Sequence, residues 1–224
     1  MEIAAASTDK AVSDQTKKID TSHSITFFES IDLALKEINI ELKDINLIGV
    51  GIGPGSFTGI RIAVTTARMF SQLFEIPLVG VKTHLMYAAS AVDAIKPGEN
   101  ILIAFDAKKA RVFGALYAKG ENSNSVELVP PGDYSIEYLI KNINSTQKTL
   151  LIGDGCEKYY TEIKSKISLR DSLFDYKPAG KNICDLVRKI YLTNPDNYRD
   201  LNNVIPFYSR KSDAEIIKET KDNL

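Results

Sequence analysis

Hydrophobic and polar positions alternate with two periods along this chain, and the switches between them predict its elements. Met1–Ser7 and Gln15–Asp20 read as two short strands around a polar turn at Thr8–Ser13, the pattern of a hairpin. Ser24–Asn39 then takes the helical period, with Phe27, Phe28, Ile31, Ala34, Leu35 and Ile38 on one stripe. Leu47–Val50 is a short apolar run ending in glycines, as buried strands do. A glycine-rich turn leads into a helix that ends near Phe74, followed by a strand at Pro77–Val81 and a helix at Thr83–Val92.

Lys96–Asn100, with Pro97-Gly98, marks a boundary between residues 1–97 and 98–224. Beyond it the pattern repeats in kind. Strands are predicted at Ile101–Phe105 and Val112–Ala118, then a polar loop around Gly120–Ser125 and a helix at Ile136–Asn142. Leu150–Ile152 is a strand ending in Gly153-Asp154-Gly155, and Glu157–Ser165 and Ile183–Leu192 are helices. Ile205–Tyr208 is strand-like, and Arg210–Thr220 is a charged helix or tail. Helix–strand alternation in both halves predicts two α/β lobes.

The helix after the glycine turn carries more apolar surface than one contact needs. Arg61, Thr65, Arg68, Gln72 and Glu75 fill a narrow polar arc, and apolar or small residues fill most of the remainder. A surface helix needs an apolar stripe little wider than 100°, so this one has a second face to bury, against the other lobe or against another subunit. The wheel leaves open which flank faces outward, the Ile60/Val64/Ala67/Ser71 side or the Ile62/Thr66/Met69/Leu73 side. Arg61 and Arg68 suit either a salt bridge to a partner or a solvated face.

The turn itself, Gly53-Pro54-Gly55-Ser56-Phe57-Thr58-Gly59, can let backbone approach a ligand, and Ser56 or Thr58 can cap the helix. Gly53, Gly55, Ser56, Thr58 and Gly59 are therefore candidates for phosphate contact. The spacing fits neither the dinucleotide nor the P-loop pattern, since Ile60 stands where the latter has lysine. Nucleotide contact and a purely structural turn both stay open. Asp106, after a buried strand, is a phosphate- or magnesium-side candidate, with a plain turn residue as its simpler reading; Asp154 is weighed in the same way.

Composition narrows the chemistry. Twenty-eight lysines and arginines against 29 acidic residues give a formal charge of −1, with no strong basic cluster. Direct phosphate-driven binding of nucleic acid would call for a basic excess, so any contact with RNA is expected to run through a partner. Two cysteines, Cys156 and Cys184, and two distant histidines, His23 and His84, lack zinc-ligand spacing. The two cysteines read as free thiols, and His84 as a helix-capping or surface residue. No secretory or membrane-spanning run is seen in the sequence, which predicts a cytoplasmic protein.

Gly53-Pro54-Gly55-Ser56-Phe57-Thr58-Gly59-Ile60-Arg61-Ile62 resembles the signature of the TsaB family, which takes part in threonylcarbamoyladenosine synthesis in tRNA. Pro77-Leu78-Val79-Gly80-Val81, Asp106-Ala107-Lys108, Gly153-Asp154-Gly155, Lys177-Pro178-Ala179 and Pro206-Phe207-Tyr208-Ser209-Arg210 are similar to its later landmarks, in the same order. The resemblance implies an α/β, two-lobed actin-like ATPase fold, each lobe built on a ribonuclease-H-like sheet. It implies a non-catalytic, scaffold-like subunit with no cofactor and no metal. Its expected partners are the catalytic subunit TsaD, the ATPase TsaE through the complex, and a second copy when TsaD is absent. It places the interface on the helix after the glycine turn: Ile60, Arg61, Ile62, Val64, Ala67, Arg68, Met69, Ser71 and Phe74, with Phe27–Ile38 beside it. The rival readings are a small-molecule kinase of the same fold and a metallopeptidase. The latter is disfavoured because no His-x-x-x-His occurs.

One departure stands out. The family opens with a strand ending in Asp-Thr-Ser, but Asp20-Thr21-Ser22 here runs directly into His23-Ser24 ahead of the first helix. Met1–Ser7 resembles the family's second strand instead. The first N-terminal strand is therefore expected to be missing from this sequence, and the reading frame to extend upstream.

Overall fold

The computed structural model describes residues 2–8, 11–17, 23–121, 124–198 and 200–209. The second half holds a five-stranded sheet. Its strands are β5 (Asn100–Asp106), β6 (Val112–Lys119), β7 (Ser125–Tyr134), β8 (Thr149–Ile152) and β9 (Leu169–Leu173), in the spatial order β7-β6-β5-β8-β9. β5 is antiparallel to β6 and parallel to β8. Both faces are covered, so β5 reads as a continuous apolar run. Ile101 and Ile103 point to one side with Ala115, Tyr117, Leu150 and Ile152. Leu102 and Ala104 point to the other, against α4 (Ile136–Lys141), α5 (Asp154–Lys158) and α6 (Tyr160–Lys166).

The first half is built from two ladders. β1 (Glu2–Ser7) and β2 (Val12–Lys17) pair antiparallel. β3 (Ile48–Gly53) and β4 (Leu78–Lys82) pair in parallel. Helix α1 (His23–Glu37) lies on the first ladder and α2 (Phe57–Phe74) on the second. Val50 and Leu78 meet α2 through Ile60, Val64 and Ala67. Val79 and Val81 face the opposite side.

The two remaining helices tie the halves together. α3 (Thr83–Ala91) follows β4, yet its Tyr87, Ala88 and Ala91 pack on Ile101, Ile103 and Tyr117 of the second sheet. α7 (Gly180–Thr193) does the reverse: its Val187 packs on Val79 and Val81, and it crosses β1 and β2 as well. Gly49 is the point of closest approach, since a Cβ there would lie 2.3 Å from a Val187 methyl.

Several expectations shift. The second strand is Val12–Lys17, earlier than the pattern placed it, and Glu157–Ser165 is two short helices meeting at Tyr159. β7 and β9 went unpredicted. Ile205–Tyr208 is irregular. The charged stretch Arg210–Thr220 lies outside the described residues. Among the described residues, no helix is long and apolar enough to cross a membrane.

Candidate functional site

The glycine turn is shaped by its own neighbours. Gly53 has φ +108°, and a Cβ there would lie 2.7 Å from the Phe207 carbonyl and 2.8 Å from Ile60 Cδ1, so only glycine fits. The Gly53–Pro54 peptide bond is cis. Gly55 and Gly59 meet no such crowding, their nearest neighbours standing 3.8 and 3.5 Å from an added Cβ. Ser56 is the cap of α2: its Oγ accepts the Gly59 N–H at 3.3 Å, satisfying one of the free amides at the helix start. Thr58 is exposed.

The C-terminal segment closes onto this turn. The Phe207 N–H donates to the Ile52 carbonyl at 2.7 Å, at the end of β3. Arg61 Nε donates to the Tyr208 hydroxyl at 3.0 Å, and its guanidinium stands 3.9 Å from the Phe57 ring centre. The Phe57 and Tyr208 rings lie 5.0 Å apart. Two landmarks that are 147 residues apart in sequence thus share one aromatic–arginine cluster.

From this cluster the outer face of α2 runs on as a surface. The two flanks differ in burial, although Thr66 on the second is buried as well. Ile60, Val64, Ala67 and Ser71 are buried against β3 and β4, within the protein's own core; in this fold they are not surface residues, because the sheet already occupies that flank. Ile62 is half-buried, as is Arg68. Phe57, Met69, Leu73 and Phe74 are exposed by 43, 48, 68 and 38%. With Arg61, Arg68, Pro206 and Tyr208, Met69 and Leu73 line a shallow open hollow of ≈ 850 Å³. On α1, Phe28 and Leu33 are exposed too.

The ends of β5 and β8 form a separate charged corner. Asp106 accepts from Lys158 Nζ at 2.9 Å, from Lys108 Nζ at 3.0 Å and from the Lys108 N–H at 3.0 Å. Lys158, then Lys108, hold its carboxyl down at about 2. Asp154 Oδ1 accepts the Asp106 N–H at 2.9 Å and so pins the two strand ends together. The corner does not adjoin the glycine turn through any bond found among the described residues.

His84, expected to cap a helix or lie at the surface, is fully buried at the start of α3. Its Nε2 lies 2.9 Å from the Phe113 carbonyl, which can only accept, so Nε2 carries the proton. The Phe105 ring stands edge-on at 5.3 Å. Burial pushes its pKa down from the ordinary 6.5 to about 4. Cys156 is buried and Cys184 half-buried, both as free thiols.

A family model described as TsaD, tRNA N6-adenosine threonylcarbamoyltransferase, matches residues 12–145, more than half the chain. The tRNA threonylcarbamoyladenosine biosynthesis protein TsaB of Buchnera aphidicola subsp. Schizaphis graminum is 31% identical over 77% of this chain and 80% of its own. The protein of the same name from Buchnera aphidicola subsp. Acyrthosiphon pisum is 26% identical over 89% of this chain and 88% of its own. A crystal structure described as an uncharacterized protein from Pseudomonas aeruginosa with similarity to peptidase YEAZ superposes with a TM-score of 0.78. It covers 92% of this chain and 93% of that one at 17% identity, a likeness of fold alone. Fold and sheet order define the class, mixed α/β proteins that share the fold of this solved structure. Within it, the chain belongs to the family of the matching model and, in that family, to the TsaB proteins.

Proposed function

We propose that this protein acts in tRNA threonylcarbamoyladenosine biosynthesis as a non-catalytic subunit that docks a TsaD-type catalytic partner on the outer face of α2. Family membership supports the pathway. The observation that carries the docking role is the exposed pair Met69 and Leu73, which line one hollow together with Arg61 and Arg68. Apolar side chains gathered on one helix face, with charged neighbours at the rim, are what association surfaces offer. The same helix can pair with its counterpart in a second copy when no partner is present, which gives a two-fold, self-complementary contact. A role for TsaE, and any contact with tRNA, would come through that complex. The support for a scaffold role over chemistry is positive. Asp106 and Asp154 are spent on bracing a turn, His84 is buried as a neutral hydrogen-bond donor to backbone, and Ser56 caps a helix. Nor does the overall charge of −1 favour independent phosphate binding. We also propose residues 1–97 and 98–224 as the two lobes, exchanging α3 and α7 across their boundary.

The test is capture of the cell's own TsaD by tagged wild-type chain, Met69→Glu and Leu73→Glu. Both variants are expected to stay folded by circular dichroism and to lose capture by at least tenfold. Folded variants that capture TsaD as well as wild type would move the interface elsewhere. ATP turnover by the purified chain, abolished by Asp106→Ala, would replace the scaffold reading with the kinase-like one.

A further inference from the structure

The charges of α2 are placed unlike those of its neighbours. On α1, α6 and α7 a lysine meets a carboxylate one turn away on its own helix: Lys36 with Asp32, Lys166 with Glu162 and Lys181 with Asp185. Such pairs settle a surface charge locally. α2 carries Arg61 and Arg68 and has no Asp or Glu anywhere between Phe57 and Phe74. Among the described residues, neither guanidinium meets a carboxylate.

Arg61 is also held in place. Its Nε donates to the Tyr208 hydroxyl at 3.0 Å, and its guanidinium stands 3.9 Å from the Phe57 ring centre and 5.9 Å from that of Tyr208. Tyr208 is itself fixed, since the Phe207 N–H before it bonds the Ile52 carbonyl. These contacts set the direction of the arginine and use only its Nε. The Nη1/Nη2 edge, which can grip a carboxylate through two parallel bonds, makes no bond among the described residues. Part of the rotamer freedom that an arginine gives up on binding is therefore lost before a partner arrives. Arg61 and Arg68 stand two turns apart, about 10 Å along the helix. Both line the hollow with Met69 and Leu73.

We infer that these arginines select the occupant of the hollow: a protein face with two carboxylates about 10 Å apart and apolar side chains between them, one carboxylate gripped by Arg61 through both Nη groups. The inference rests on the docking reading proposed above and names the chemistry that the partner presents. A second copy is the weaker occupant. A two-fold contact through α2 sets the row against itself, arginine facing arginine with no carboxylate from either helix. Nucleic acid suits the row less as well. Phosphate binding draws on many cations, whereas Met69 and Leu73 offer apolar surface here. Tyr208 is a positioning residue, acting on the partner through Arg61.

The test is the affinity of the purified chain for its TsaD partner between about 0.05 and 0.5 M salt, a range over which exposed charges are progressively screened. Wild type is expected to weaken by at least roughly tenfold across it. Arg61→Gln and Arg68→Gln are each expected to bind roughly tenfold more weakly at the low-salt end and to respond less to salt. Arg61→Lys should keep the salt response and recover only part of the affinity, since an ammonium cannot make the two-bond grip. Tyr208→Phe, which keeps the ring and drops the hydroxyl, should weaken binding with the salt response intact. A role confined to stability would leave the salt response of the folded glutamine variants at the wild-type value and would overturn the inference. Leu73→Glu separates it from the reading beneath it. If Leu73→Glu loses the partner while both glutamine variants behave as wild type, the docking reading stands and the arginine inference falls. If all of these variants bind as wild type does, both fall. Binding of bare tRNA that Arg61→Gln abolishes would assign the pair to phosphate, and would overturn the inference too.

Discussion

His84 shows how a single buried residue ties the halves and gives the fold a pH dependence. Its Nε2–H bond to the Phe113 carbonyl runs from α3 to β6, and burial holds its pKa near 4 against 6.5 for a free histidine. Between those values the unfolded chain binds a proton that the folded chain refuses. The stability tied to neutral His84 is therefore fully present above pH 6.5 and is lost as pH falls toward 4. The drop across that window is about 3 kcal/mol by the size of the shift. Urea unfolding at pH 7.5 and 4.5 is expected to show a larger loss for wild type than for His84→Leu. The variant itself should be less stable at pH 7.5, since the Phe113 carbonyl loses its donor. Equal pH dependence in the two proteins would mean that His84 protonates freely. The sequence hid this residue: a histidine early in a helix reads as a cap, and only the β6 carbonyl opposite explains its burial.

At the scale of elements, α2 is read most sharply by a pair of charges. Val64, at 3% exposure, faces β3 and β4; Met69, on the outer flank, is half exposed. Val64→Glu is expected to destabilise by roughly 3–5 kcal/mol, because it buries an unpaired charge. Met69→Glu is expected to change stability by less than about 0.5 kcal/mol, as surface substitutions do. Thermal or denaturant melts of the two variants decide it, and a Met69→Glu protein as unstable as Val64→Glu would show that the outer flank is core. The apolar arc was legible in sequence and its two flanks were not, because β3 and β4 meet the helix through contacts with no local signature. The same reason hid β7. Pro130 and Pro131 look like breakers, yet they sit where Gly114 pairs with Gly132 and Leu116 with Val129, a bulge that absorbs them on an edge strand. β9 was hidden by its polar sequence, since Arg170 is pushed out of register and bonds Glu99 at 2.8 Å. The glycine turn was visible at once, but its closure by Tyr208 on Arg61 depends on a contact across the whole chain.

For the whole molecule, the exchange of helices decides whether the halves are separable. The boundary at Lys96–Asn100 invites cutting, and loops of this kind usually tolerate it. The cover of each sheet, however, comes from the other side of the cut. Without α3, the face made by Ile101, Ile103, Ala115, Tyr117, Leu150 and Ile152 would be open to water, a contiguous apolar patch of the kind that drives aggregation. Without α7, the face made by Val79 and Val81 would be open, and the two N-terminal ladders would lose the helix that spans them. A fragment of residues 98–224 expressed alone is therefore expected to be insoluble or to lack dispersed amide resonances. Moving the cut upstream, so that the fragment begins at residue 83 and keeps α3, is expected to recover a folded second sheet. Co-expression of 1–97 with 98–224 should likewise recover soluble protein, since the pieces supply each other's missing cover. A well-dispersed spectrum from 98–224 alone would show that α3 merely rests on a self-sufficient lobe, and the two halves would then be independent domains joined by a linker.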